Sequence, residues 1–161
     1  MVDDRVVNIV VAGLGGQGVL TASDILADAA FRGGYDVKKA EVHGMSQRGG
    51  SVTSDVRFGR RVYSPMVPVG EADYLLVLEP TQLEPNRRYL KPDGVVIAPD
   101  RVEADSLPSR RSLNVALLGV LSTHLDIPEG TWLGALSARL SERLLEPNRQ
   151  AFQLGRISTS K

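Results

Sequence analysis

The chain has 161 residues, 42% of them hydrophobic, and its 19 basic and 19 acidic side chains cancel at neutral pH. That length suits one domain with a sizeable core, and zero net charge gives no electrostatic case for nucleic acid. No cysteine is present, which excludes thiolate ligation of an iron–sulfur cluster, disulfides and thiol nucleophiles.

No apolar run approaches the roughly 18 residues of a membrane span. The start, MVDDRVV, lacks a basic region followed by an apolar core. A soluble, cytoplasmic chain with no membrane partner is expected. His43 and His124 lie far apart without metal-ligand spacing, so no metal site is expected.

Val6–Gly18 reads VVNIVVAGLGGQG: an apolar run into glycines at 13, 15, 16 and 18, followed by a helical pattern over Val19–Arg32. This is the order of a buried strand, a tight turn and a helix N-terminus. Such a turn either cradles an anion with unpaired N–H groups or lets the helix pack closely on the sheet. A dinucleotide site would also want an acid at the tip of the second strand, about 20 residues on. Asp36 has the distance but opens the strand Asp36–Val42, and Glu41 has the place but runs into a specialised loop.

That loop, HGMSQRGGS over 43–51, is polar and glycine-punctuated. Residues 52–58 then alternate, with Val52, Ser54, Val56 and Phe58 on one face and Thr53, Asp55 and Arg57 on the other. This pattern predicts a half-exposed strand, turned by Gly59-Arg60 into a hairpin with Arg61–Tyr63. Ser64–Gly70 reads as a loop, Tyr74–Leu78 as a buried strand, and Thr81–Leu90 as a proline-interrupted helical piece. Lys91–Gly94 reads as a turn before a strand over Val95–Ala98, and Pro99–Arg111 as charged and irregular.

Ser112–Leu125 is apolar on most sides and reads as a buried helix. Thr131 is expected to cap another, with Trp132, Leu136, Leu140 and Leu144 as one stripe for the core or a subunit contact. A short helix over Glu146–Gly155 follows, and a disordered tail closes the chain. The sum is one domain over residues 1–156 with a tail over 157–161. Its expected fold class is α/β, three-layer and Rossmann-like, with a mostly parallel sheet and a hairpin edge.

Three segments carry a resemblance: GLGGQGVLTASDILADAA, EVHGMSQRGGSVTSDVRFG and VYSPMVPVGEADYLLVLEP. They resemble the γ-type domain of 2-oxoacid:ferredoxin oxidoreductases, with the β subunit of indolepyruvate:ferredoxin oxidoreductase as nearest likeness. NVALLGVLSTHLDIP and AFQLGR are similar to that family's C-terminal helices. The resemblance implies an accessory subunit, inactive alone, in a complex that oxidatively decarboxylates a 2-oxoacid and joins the acyl group to coenzyme A. Electrons would pass to ferredoxin. Thiamine diphosphate and the iron–sulfur clusters are expected in a partner α subunit, with coenzyme A at the interface. The family usually carries another strand and helical material where this chain has only Pro99–Arg111.

The site residues expected for a cofactor or partner anion are Gly13, Gly15, Gly16, Gln17 and Gly18 of the turn, with Ser46, Gln47 and Arg48 of the loop. Arg48 would supply a bidentate fork for carboxylate or phosphate, and the two loops would share the crevice at the C-terminal edge of the sheet. No catalytic residue is expected in this chain; His43 and His124 read as structural imidazoles. Two other readings stay open: a stand-alone nucleotide-binding protein on a Rossmann-like fold, and a non-catalytic interaction module.

Overall fold

A computed structural model describes residues 4–43 and 50–158. Ser46, Gln47 and Arg48 lie outside the described residues.

Five strands form one sheet in the order β2-β3-β1-β4-β5. They are β1 (Val7–Leu14), β2 (Asp36–His43), β3 (Ser51–Gly59), β4 (Ala72–Val77) and β5 (Leu90–Ile97). β1 pairs parallel with β4, and β4 parallel with β5. β3 is antiparallel to both β1 and β2. The hairpin is therefore β2–β3, inserted beside β1, and residues 61–63 form no strand, contrary to the hairpin expected with Arg61–Tyr63.

Helices α1 (Val19–Arg32), α3 (Leu113–Ser122), α4 (Glu129–Arg139) and α5 (Glu142–Ser158) cover one face. There Ile9 and Val11 of β1 pack among Leu26, Leu118, Trp132 and Phe152. The opposite face is covered thinly. Val10, Ala12, Leu75 and Val77 meet Val67 from the segment 60–70, Leu83 of the short α2 (Leu83–Asn86), and Tyr89.

The strap 60–70 is pinned by two carboxylates. Asp36 at the start of β2 accepts the Val62 N–H at 2.8 Å. Asp55 of β3 accepts the Val67 N–H at 2.9 Å. Arg57 adds a third tie, donating to the Ser64 carbonyl at 2.7 Å and to Asn8 Oδ1 at 2.8 Å. Asp55 is consequently only 6% exposed, and the strand expected to be half-exposed is interior.

Other expectations shift with the tertiary context. Lys91–Gly94 is not a turn but an irregularity inside β5, where pairing jumps from Ala72↔Leu90 to Tyr74↔Val95. Pro99–Ser112 winds into three separate 3-10 turns. The cap of α4 is Pro128 rather than Thr131. Trp132 and Leu136 are buried in α4, but that helix ends at Arg139, so Leu140 follows it and Leu144 belongs to α5. α5 starts earlier than Glu146 and carries the chain through Arg156 to Ser158, past the expected end of the domain.

Candidate functional site around the glycine turn

The turn after β1 sits at the C-terminal edge of the sheet and is braced from several directions. Gly13 has no room for a side chain: a Cβ there would stand 2.8 Å from Val19 Cγ2 and 3.2 Å from Leu78 Cβ. Its role is packing, letting the first turn of α1 close on the strand. Gly15 donates its N–H to the Gly50 carbonyl at 2.9 Å, tying the turn to the far end of the loop that begins after His43. Gly16 and Gly18 take positive φ of 88° and 84°. Gly16 faces open space, and neither N–H has a partner among the described residues.

Gln17 turns its amide inward. Its Oε1 accepts the Leu14 N–H at 2.7 Å, and its Nε2 donates to Glu79 Oε2 at 3.1 Å. The Glu79 carboxylate therefore lies against the β4 side of the turn, where it disfavours a bare anion. Asn114, at the start of α3, donates from Nδ2 to the Gly18 carbonyl at 3.1 Å. Sequence reasoning missed Glu79 and Asn114, because each is separated by more than sixty residues from the turn residue it holds.

On the β2 side, Leu14, Gly16, Gly18, Thr21, His43 and Val52 line a shallow cavity of about 380 Å³. Register explains the grouping, since Leu14 pairs with Ser51 and His43 with Val52. Both ends of the loop carrying Ser46, Gln47 and Arg48 are thus set beside the glycine turn. β3 lies between β1 and β2, so the described residues on either side of that loop belong to the two strands of a hairpin.

The acids considered for a dinucleotide ribose are otherwise engaged. The Asp36 carboxyl is held below the usual carboxylate range, chiefly by the Val62 N–H, at the opposite end of β2. Glu41 is ion-paired with Lys39, which also reaches Asp24 of α1 at 2.6 Å. His124 lies at the other edge of the sheet with its ring 5.6 Å from that of Tyr74. Burial, with the Arg101 charge adding to it, pushes its imidazole below its ordinary value. Among the described residues no group of three or more His, Asp or Glu side chains could hold a metal ion, and no helix is long and apolar enough to cross a membrane.

The family model for pyruvate ferredoxin/flavodoxin oxidoreductase matches residues 8–108. The chain belongs to this family. Within it, the chain is 52% identical over 153 residues to indolepyruvate oxidoreductase subunit IorB of Pyrococcus horikoshii. It is 42% identical to the protein of that name from Thermococcus kodakarensis. Either alignment covers 95% of this chain and 71% of the relative.

Among solved structures, the γ subunit of a keto/oxoacid ferredoxin oxidoreductase from Geobacter sulfurreducens matches with TM-score 0.80 at 23% identity. That match covers 96% of this chain and 98% of the other. A 2-oxoglutarate:ferredoxin oxidoreductase chain from Magnetococcus marinus gives TM-score 0.83 at 24% identity. The present chain spans about a third (32%) of that larger one. These two likenesses establish a shared fold.

Proposed function

We propose that this chain is the accessory subunit of a cytoplasmic 2-oxoacid:ferredoxin oxidoreductase acting on an aryl pyruvate such as indolepyruvate. The observation that carries the reading is identity of 42–52% to indolepyruvate oxidoreductase subunits along 95% of the chain. In that reaction the oxoacid loses carbon dioxide, its acyl group passes to the sulfur of coenzyme A, and two electrons leave for ferredoxin.

The redox groups belong to a partner α subunit. Thiolate-held clusters need cysteine, and this chain has none, so the clusters are assigned to the partner. Thiamine diphosphate is assigned there too, as the family resemblance implies. This chain's own part is to present the glycine turn and the loop with Ser46, Gln47 and Arg48 to the shared site, with coenzyme A at the interface. Tyr63, Met66 and Val69 stand more than half exposed on the strap 60–70 and supply apolar surface for the same partner.

The test is reconstitution with the α subunit, assayed with indolepyruvate, coenzyme A and a dye acceptor. The complex is expected to turn over and the isolated chain is not. Arg48→Ala is expected to lower activity or partner affinity about ten- to a hundred-fold, as for one charged hydrogen-bonded contact. Turnover by the isolated chain would contradict the subunit assignment; normal activity and assembly with Arg48→Ala would show that the loop is ordinary surface.

A further inference from the structure

β2 stands at one end of the sheet, and among the described residues no strand pairs with its outer edge. Its inner edge pairs with β3 from Asp36↔Gly59 to His43↔Val52 without a shift of register. The outer edge is therefore regular over eight residues and free of proline, a form that accepts another strand. β5, at the other end of the sheet, carries Pro92 and a register irregularity, two features that discourage such pairing.

Side chains along β2 alternate between the two faces of the sheet. Lys39 and Glu41 are ion-paired with each other on the α1 face, where Lys39 also meets Asp24. Asp36 reaches Val62 of the strap, so Lys38, Ala40 and Val42 lie on the strap face. Two apolar side chains, Val42 and Phe31, frame the edge, and both are more than half exposed. Phe31 follows Asp24 by two helical turns, on the flank of α1 that overlooks β2.

A second copy related by a two-fold axis normal to the sheet presents the same strand antiparallel, with each face of the sheet continued across the junction. Opposed residues then lie on the same face, which allows only pairings centred on a residue. Centring on Lys39 sets lysine against lysine, and centring on Glu41 sets glutamate against glutamate; both are unfavourable. Centring on Ala40 sets each Lys39 against Glu41 of the second copy, with alanine against alanine and the Lys38 stem along Val42. We propose that the outer edge of β2 is the docking surface for a second copy of this chain, paired antiparallel about Ala40 so that two five-stranded sheets become one. Lys39 and Glu41 select the register, while Phe31 and Val42 supply apolar area. Neither the surface nor its test rests on the oxidoreductase reading.

Sedimentation of the full chain over a concentration series tests the proposal, and a monomer–dimer equilibrium is expected. Lys39→Glu places two glutamates of each copy against two of the other, and Glu41→Lys does the same with lysines. Each variant alone should dimerise about tenfold more weakly or worse. Mixed in equal amounts, the two should form a heterodimer, because every glutamate then faces a lysine. Circular dichroism checks that both variants are folded. Hydrogen exchange on the unmodified chain gives a readout independent of them, since outward amides between Val37 and Val42 should gain protection as concentration rises. A chain that stays monomeric, folded single variants that dimerise as the unmodified chain does, a mixture of folded variants that fails to associate, or β2 amides with unchanged protection would each overturn the proposal.

Discussion

Gly119 of α3 and Gly155 of α5 are reciprocal seats, each lying against the backbone of the other's helix. A Cβ on Gly119 would stand 2.1 Å from the Phe152 carbonyl oxygen, and one on Gly155 would stand 1.9 Å from that of Ala116. Two backbones can approach this closely only where neither helix carries a side chain.

Gly155→Ala is therefore expected to destabilise the fold by about 3 kcal/mol or more, because α5 must lift off α3. Helix propensity alone predicts the opposite sign, a gain of about 1 kcal/mol for alanine over glycine. Urea unfolding decides between them. The double variant with Gly119→Ala should cost less than the sum of the two, since one outward shift of α5 relieves both clashes.

Within the glycine turn two substitutions should rank by what surrounds them. Gly16→Ala meets nothing within 4 Å and incurs only the backbone cost of positive φ, about 1–2 kcal/mol. Gly18→Ala adds a clash 2.4 Å from Asn114 Nδ2 and displaces the amide from the Gly18 carbonyl, worth about 1 kcal/mol more. Thermal melts of both variants check the order. Equal losses would mean that the Asn114 brace carries no energy.

The two carboxylates that pin the strap 60–70 should give opposite pH signatures. Asp36, lowered mainly by the Val62 N–H, contributes stability that is present above its unfolded value and lost as pH falls through its folded one. Asp36→Asn should therefore lose stability relative to wild type at neutral pH, with the gap closing in acid. Asp55 is raised chiefly by burial, so the unfolded chain releases this proton first and stability falls as pH rises from the ordinary carboxylate value to the raised one. Asp55→Asn keeps an oxygen for the Val67 N–H without the buried charge. It should gain stability relative to wild type as pH rises from the ordinary carboxylate value through the raised one, and keep that gain above it. Denaturant midpoints between pH 3 and 7 provide both curves.

Local signals in the sequence proved reliable where one short stretch determines the outcome. The apolar run into the glycines places β1, the turn and α1 with their observed order, and the apolar segment near 113–122 is buried as expected. The failures come from contacts distant in the chain. Alternation over 52–58 describes a strand with one wet face, but Asp55 is covered because Val67 lies across it. The leucine spacing after Trp132 continues past Arg139, yet the helix does not: Leu144 donates its N–H to the Ser141 carbonyl at 3.0 Å as α5 begins. At the site, the glycines could be named from their own run, whereas Asn114 enters only when α3 folds over the turn.

The antiparallel insertion of β3 changes what can vary. A loop between a parallel strand and its crossover helix is constrained by the helix it must deliver. The segment after His43 instead has both ends clamped in hairpin register, at His43↔Val52 and, across the sheet, at Leu14↔Ser51. Lengthening such a loop twofold costs only about 0.6 kcal/mol in closure entropy. Residues can therefore be added, removed or exchanged beside the glycine turn while the sheet keeps its pairing. In a family whose members handle different oxoacids, that leaves one short segment free to diverge without asking the rest of the domain to refold.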